Sequence, residues 1–74
     1  MDDFGLLVSL SVRRFGESRG LSLRGLSSVL GYSYPTLVSK LNASRRWTVA
    51  DLQRLADAGV ALPPLRSDVR RVKP

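Results

Sequence analysis

The sequence predicts an all-α fold, a compact bundle of four or five short helices. Apolar residues recur at the three- and four-residue spacing of a helix in four separate segments. Capping residues or glycines stand at the ends of these segments, while alternating apolar and polar runs typical of strands are weak. With 74 residues, the chain is long enough for one domain only.

The first helix is predicted over residues 3–18. Asp2 or Asp3 suits its cap and first turn, and Gly20 stands where the helix would stop. Its apolar face is predicted to contain Phe4, Leu7, Val8, Val12 and Phe15, widened by Leu6 and Leu10.

The second helix is predicted over residues 23–30, between the cap residue Ser22 and the stop residue Gly31. Gly25 inside this segment costs about 1 kcal/mol relative to Ala. The apolar stripe consists of Leu23, Leu26, Val29 and Leu30.

The third helix is predicted over residues 34–42, with Ser33 as its cap. Pro35 belongs in a first turn, where its missing N–H is not needed. Leu37, Val38 and Leu41 are the apolar positions.

The fourth helix is predicted over residues 49–58, with Thr48 as its cap and Asp51 in a near relative of the capping box. Leu52, Leu55 and Ala56 are predicted to point inward, and Gly59 to end the helix. The sequence divides into a domain over residues 1–64 and a basic tail over residues 65–74, which carries half of the net charge.

The composition argues against an enzyme. The chain has no Cys and no His, and its six acidic residues are scattered, so no thiol, common general base, metal-ligand set or catalytic carboxylate pair is expected. No cofactor is expected either. The net charge of +6, which includes ten Arg, favours nucleic acid or an anionic membrane as the partner.

The start of the chain and its apolar runs favour a location in the cytoplasm. No apolar run approaches the roughly 18 to 20 residues of a membrane span. The acidic start "MDDFGLLVSLSV" is a poor signal peptide. The expected location is therefore cytoplasmic, on the nucleoid or in a phage-infected host cell, with no membrane partner.

The second and third helices are joined by only Gly31, Tyr32 and Ser33, which is the signature of a helix-turn-helix. Gly31 permits the left-handed conformation that turns the chain. A small shared core that fixes the angle between the helices is predicted from Leu26, Leu30, Leu37 and Leu41.

The stretch "LSLRGLSSVLGYSYPTLVSKLNAS" resembles the helix-turn-helix of the Xre/Cro family of phage and bacterial repressors, and the flanking helices match that family's order. The resemblance covers about residues 4–62 and implies a lambda-repressor-like fold. It also implies a sequence-specific transcriptional regulator of the Cro-like phage repressor type, which binds an operator in double-stranded DNA.

Two features depart from the family pattern. Members often have Gln at the start of both helices, where this sequence has Leu23 and Tyr34. Members also often have an acidic residue and then Gly after the recognition helix, where this chain reads Leu41-Asn42-Ala43. The operator sequence therefore cannot be inferred from the family.

The resemblance implies that residues 34–42 form the recognition helix, in the major groove. The residues expected to read bases are Tyr34, Pro35, Thr36, Ser39 and Lys40. The residues expected to contact phosphate are Ser22, Arg24, Ser33, Asn42, Ser44, Arg45 and Arg46. Alternatively, the base-reading set consists only of solvated helix residues. The phosphate set would then consist of helix caps and a solvated loop that do not contact DNA.

Three further features allow more than one interpretation. Trp47 is expected to fill the core between the third and fourth helices, and Tyr32 to pack partly inside. The tail is interpreted first as an arm along the phosphate backbone, otherwise as an added strand or a disordered end. The stretch "DAGVALPPL", with Val60, Leu62 and Leu65, either forms a homodimer surface or closes the monomer core.

Rival functions follow from the same residues. The chief alternative is a protein-interaction module, such as an antitoxin-like or anti-repressor partner with only non-specific DNA affinity. An RNA-binding or ribosome-associated protein is disfavoured because exposed aromatics are scarce and no RNA-binding motif occurs.

Overall fold

The computed structural model describes residues 3–63, which form four helices and contain no strand. Helix α1 spans Asp3–Ser18, α2 spans Leu23–Leu30, α3 spans Tyr34–Leu41 and α4 spans Val49–Ala58. The predicted all-α bundle of four helices is therefore confirmed. Asp2, Leu65 and the basic tail over residues 65–74 lie outside the described residues.

Local capping sets the helix boundaries. The side chains of Ser22, Ser33 and Thr48 each accept a hydrogen bond from a backbone N–H in the first turn of α2, α3 and α4. The Asp51 carboxylate reaches back to the N–H of Thr48, which completes a capping box. Gly31 and Gly59 end α2 and α4 with φ values of 81° and 99°.

All four helices contribute to a single core. Its buried apolar residues are Val8, Val12, Phe15, Leu26, Leu30, Leu37, Leu41, Leu55 and Val60. The predicted shared core of the helix-turn-helix is confirmed. Val60 is only 5% exposed and Leu62 packs against the core, so these two residues close the monomer and do not form a free dimer surface.

Several apolar residues that were predicted to face the core lie outside it. Leu6, Leu7 and Leu10 are 45%, 48% and 43% exposed, because only the opposite side of α1, with Val8 and Val12, faces the other helices. Three more residues that were predicted on the inner faces of α2 and α4 are exposed: Leu23, Val29 and Ala56. In α4, Ala58 packs against the core instead of Ala56.

Two glycines in α2 and at its end predict opposite effects of substitution by Ala. We expect Gly31→Ala to lower the free energy of unfolding by about 1–2 kcal/mol, because an L-residue is strained at φ 81°. Gly25→Ala is the matched control. A Cβ there meets neighbours at ordinary distances of 3.5 Å or more, so we expect stabilisation of about 1 kcal/mol. Urea unfolding measures both; equal effects would contradict the argument.

Candidate nucleic-acid interface

The turn between α2 and α3 is braced by α4. The N–H of Tyr32 donates to the carbonyl of Ser27 at 2.9 Å, which closes the end of α2. Arg54 in α4 donates to the carbonyl of Gly31 at 2.8 Å, and its guanidinium carbon lies 4.8 Å from the centre of the Tyr32 ring. The angle between the two helices is thus fixed from a third element.

Helix α3 presents four of the five predicted base-reading residues to solvent, at least in part. Pro35 is exposed, and Tyr34, Thr36 and Ser39 are partly exposed. The hydroxyl of Ser33 accepts from the N–H of Thr36 at 3.3 Å and donates to the Thr36 hydroxyl at 2.8 Å. Ser33 and, at the start of α2, Ser22 are therefore caps, and both remain exposed.

Arg24 lies beside the start of α3. Its guanidinium carbon is 4.4 Å from the centre of the Tyr34 ring, within the range of a cation–π contact. This contact joins the first turn of α2 to the first turn of α3. A cation is thereby positioned at the edge of the face formed by Pro35 and Thr36.

Lys40 does not lie on that face. It is only 8% exposed, and its ammonium donates to the Asp51 carboxylate at 2.8 Å and to the Arg46 carbonyl at 3.1 Å. An ammonium with these partners is not free for a base edge or a phosphate. The expectation of base reading by Lys40 is corrected to a structural role, because helical spacing puts it toward α4 and Asp51 neutralises it there.

Asp51 is the centre of a buried polar network. Besides Lys40, its carboxylate accepts from the Tyr32 hydroxyl at 2.7 Å and from the N–H of Thr48 at 2.8 Å. Burial alone would raise the pKa of Asp51, but the hydrogen bonds from Lys40, Thr48 and Tyr32 outweigh it and lower the pKa to about 2. Burial of the Tyr32 hydroxyl, its hydrogen bond to Asp51 and the Asp51 charge together raise the pKa of Tyr32.

This low pKa predicts an acid-sensitive contribution to stability. Because the pKa of Asp51 falls from 3.8 to about 2 on folding, its contribution is complete above pH 3.8 and is lost as the pH falls through 2. We expect Asp51 to account for a loss of about 2 kcal/mol in the free energy of unfolding between about pH 5 and pH 2. Urea titrations at several pH values in this range measure the free energy of unfolding. If Asp51→Asn left its dependence on pH unchanged, Asp51 would not be the group responsible.

The loop after α3 carries the predicted phosphate contacts. Ala43 adopts a left-handed conformation with φ 67°, and the N–H of Ser44 donates to the carbonyl of Ser39 at 2.8 Å. An L-residue in this conformation costs about 1–2 kcal/mol relative to Gly. The tight turn exposes the side chains of Asn42, Ser44, Arg45 and Arg46.

Trp47 anchors the far end of the loop. Its ring is half-buried against the core, as expected, and meets the Tyr32 ring edge-on at 6.4 Å. Its Nε1–H donates to the Ser9 hydroxyl at 3.0 Å, a link to α1 that the sequence did not indicate. Tyr32 is partly buried, as expected. Beside Trp47, a cleft of about 140 Å³ is bordered by Leu6, Arg45 and Arg46.

Two features of this surface differ from, or add to, what the sequence predicted. Val38, predicted as core, is half-buried and lies on the outer side of α3 between Pro35 and Asn42. The sequence signal for this position is the spacing of three residues between Val38 and Pro35, which puts both on one side of the helix. Residues 18–50 contain no acidic residue but contain Arg19, Arg24, Lys40, Arg45 and Arg46.

Over residues 3–63, no helix is both long and apolar enough to cross a membrane. Within the same range, no group of His, Cys, Asp and Glu side chains is arranged to hold a metal ion.

The chain matches no protein-family model, and neither a curated protein nor a solved structure resembles it significantly. The Xre/Cro resemblance therefore depends on the motif in residues 21–44 and on the order of the flanking helices, and family membership stays a prediction.

Proposed function

We propose that this protein binds duplex DNA in a sequence-specific manner, with α3 in the major groove. One observation carries the proposal. A helix-turn-helix with a polar outer face on its second helix continues into an exposed Arg45–Arg46 loop, in a stretch over residues 18–50 without any acidic residue. Such a surface is complementary to a polyanion, because the stretch itself contributes no carboxylate that would repel the phosphates.

The positive groups flank α3 on both sides. Arg24 stands at its start and the Arg45–Arg46 loop follows its end, so each can contact phosphate while α3 lies between them. The hydroxyls of Ser22 and Ser33 stay exposed beside the first N–H groups of α2 and α3, which also suits phosphate oxygens. Asn42 and Ser44 extend this border into the loop.

Base reading falls to the outer face of α3. Thr36 and Ser39 supply hydroxyls for base edges, whereas Pro35 and Val38 supply apolar surface for a thymine methyl group. Tyr34 lies at the margin, beneath Arg24. Lys40 contributes indirectly, because its bond to the Arg46 carbonyl holds the loop.

The proposed biological role is transcriptional regulation of the Cro-like repressor type, in the cytoplasm. Counterion release by the Arg groups would give affinity that falls steeply with salt and is blind to sequence. The α3 face would add discrimination of about 1–3 kcal/mol per good base contact. The alternative, an antitoxin-like or anti-repressor module, predicts salt-dependent affinity for DNA without discrimination between sequences.

Selection of bound duplexes from a randomised DNA pool tests the proposal. At about physiological salt, where non-specific binding is weak, we expect one enriched sequence motif. A variant with Thr36, Val38 and Ser39 all replaced by Ala is the control, and its selected pool should lose that motif. No enrichment with the unaltered protein would reject sequence-specific binding and favour the protein-interaction alternative.

A narrower prediction concerns the two hydroxyls of the α3 face. We expect Thr36→Ala/Ser39→Ala to reduce the ratio of specific to non-specific affinity by about tenfold, because two hydrogen bonds to base edges are lost. Fluorescence anisotropy with the selected site and a scrambled duplex measures both affinities. Ser18→Ala, at the end of α1, is the control and should change neither. An equal fall in both affinities would mean that Thr36 and Ser39 contact phosphate.

A further inference from the structure

A cleft of about 140 Å³ lies between α1 and the loop after α3. Leu6 and Trp47 contribute apolar surface to it, and the exposed Arg45 and Arg46 stand at its border. We call it the Trp47 cleft. Within residues 3–63, every buried side-chain nitrogen or oxygen has a hydrogen-bond partner, so the cleft offers no buried polar group that is unpaired. Its interior therefore suits an apolar group.

The walls of the Trp47 cleft are held in place by hydrogen bonds. The Nε1–H of Trp47 donates to the Ser9 hydroxyl of α1 at 3.0 Å, and that hydroxyl donates to the Lys40 carbonyl at 3.4 Å. The Lys40 ammonium holds the Arg46 carbonyl at 3.1 Å. The cleft is therefore formed before anything binds in it, and a ligand loses little affinity to ordering of the protein.

The border of the Trp47 cleft is positively charged. Among the residues that the structure describes, neither the Arg45 nor the Arg46 guanidinium has a carboxylate partner. A guanidinium donates two parallel N–H bonds to one carboxylate, which makes Arg the most suitable cation for this anion. An apolar interior next to two such groups is complementary to a molecule with an apolar body and a carboxylate at one end.

We infer that the Trp47 cleft binds a small aromatic carboxylate, with its ring between Leu6 and Trp47 and its carboxylate on Arg45 and Arg46. A dry apolar protein cavity of roughly 150 Å³ binds benzene, so this cleft has room for one ring. A nucleotide or a peptide is too large. The Trp47 indole favours an aromatic ring over an aliphatic one, because aromatic pairs gain from edge-to-face or offset-stacked contact.

This ligand and DNA compete for the same two arginines. Arg45 and Arg46 cannot hold a carboxylate and contact phosphate at the same time, so the bound ligand releases DNA. This consequence rests on the proposed function, whereas binding of the ligand itself does not. The Trp47 cleft would thus make DNA binding sensitive to the concentration of a small metabolite.

Titration of the full chain with benzoate, followed by the Trp47 indole N–H signal in NMR, tests the ligand site. Trp47 is the only Trp, so this signal is unambiguous. We expect a saturable shift with a Kd of about 1 mM, which suits a ligand of this size. Acetate lacks the ring and benzyl alcohol lacks the charge, so each should bind at least about fivefold more weakly.

Two neighbouring leucines provide a matched pair of variants. Leu6→Ala removes part of the apolar wall and should weaken benzoate binding at least about threefold. Leu7→Ala removes the same group from a residue of similar exposure, 48% against 45%, and should change nothing. Arg45→Ala/Arg46→Ala should weaken benzoate to the level of benzyl alcohol. Circular dichroism checks that each variant keeps its helices.

The inference would be overturned by the absence of a saturable shift of the Trp47 signal. It would also be overturned if acetate bound as tightly as benzoate, or if Leu6→Ala and Leu7→Ala had equal effects. Either result would mean that the arginines bind anions without help from the cleft.

Anisotropy with a DNA duplex tests the competition. We expect DNA affinity about tenfold lower in about 10 mM benzoate than in the same concentration of acetate, at equal ionic strength. An unchanged DNA affinity, with a Trp47 signal that still titrates, would overturn the competition but keep the ligand site. If the protein bound no duplex at all, the proposed function and the competition would both fail, and the Trp47 titration would still decide on the ligand site.

Discussion

Replacing Asp51 by Asn is expected to lower the free energy of unfolding by about 3 kcal/mol at neutral pH. The Lys40 ammonium, 8% exposed, would be left buried without its counter-ion, and removing one partner of a buried ion pair costs about 3–5 kcal/mol. A domain of this size has a total stability of about 5 kcal/mol. We therefore expect a large fall in the urea midpoint and a broad loss of protection in hydrogen exchange.

The chain offers a matched control on the same helix. Asp57 is an exposed acid in α4, and Asp57→Asn removes the same charge, so we expect a change within about 0.5 kcal/mol. Lys40→Met is the complementary variant. It leaves Asp51 with the Tyr32 and Thr48 donors, so it should cost less than Asp51→Asn. Equal effects of the substitutions at Asp51 and Asp57 would contradict the buried pair.

Arg45→Ala/Arg46→Ala is expected to abolish most DNA affinity while the fold is kept. Each phosphate contact contributes about 0.9 to the slope of log affinity against log salt, so the slope should fall by about 2. Both side chains are exposed, and the bonds that this pair makes within the domain involve backbone groups, the Arg45 N–H on the Ser39 carbonyl and the Arg46 carbonyl on Lys40. Stability should therefore change little. Anisotropy titrations over a range of salt concentrations, with thermal unfolding in parallel, measure both quantities.

Two controls separate position and shape from net charge. Gln53→Glu/Ala56→Glu lowers the net charge equally on the exposed side of α4, and we expect the salt slope to stay nearly unchanged. Arg45→Lys/Arg46→Lys keeps the charge and should retain most of the slope. If the slope of log affinity against log salt were unaltered in the double Ala variant, the Arg45–Arg46 loop would not contact phosphate, whatever happens to the affinity.

The buried network links these two predictions. Lys40 holds the carbonyl of Arg46, and Trp47 next in the chain donates to Ser9 in α1. The loop that presents Arg45 and Arg46 is therefore attached to three helices. Lys40→Met should weaken DNA binding without removing any group that we expect to contact DNA.

Local sequence patterns predicted the helices well, because caps and left-handed ends act over a few residues. Ser22, Ser33 and Thr48 accept hydrogen bonds from N–H groups three residues ahead, so each helix start is visible in the sequence. Gly31 and Gly59 signal the ends of α2 and α4 for the same reason. The all-α class and the bounds of the four helices were accessible on this basis alone, except that α3 ends at Leu41, one residue before its predicted end.

Which face of a helix is covered was decided only by the tertiary structure. Helical spacing marks Leu7 and Val8 of α1 as equally apolar, yet Val8 is buried and Leu7 is exposed, because neighbours pack on one side of α1 only. The sequence predicts Lys40 as a cation for DNA, whereas in the structure its ammonium bonds to the carboxylate of Asp51, 11 residues on. Trp47 and Ser9 are 38 residues apart. Contacts over such separations leave no periodic trace in the sequence, since they depend on how whole helices pack together.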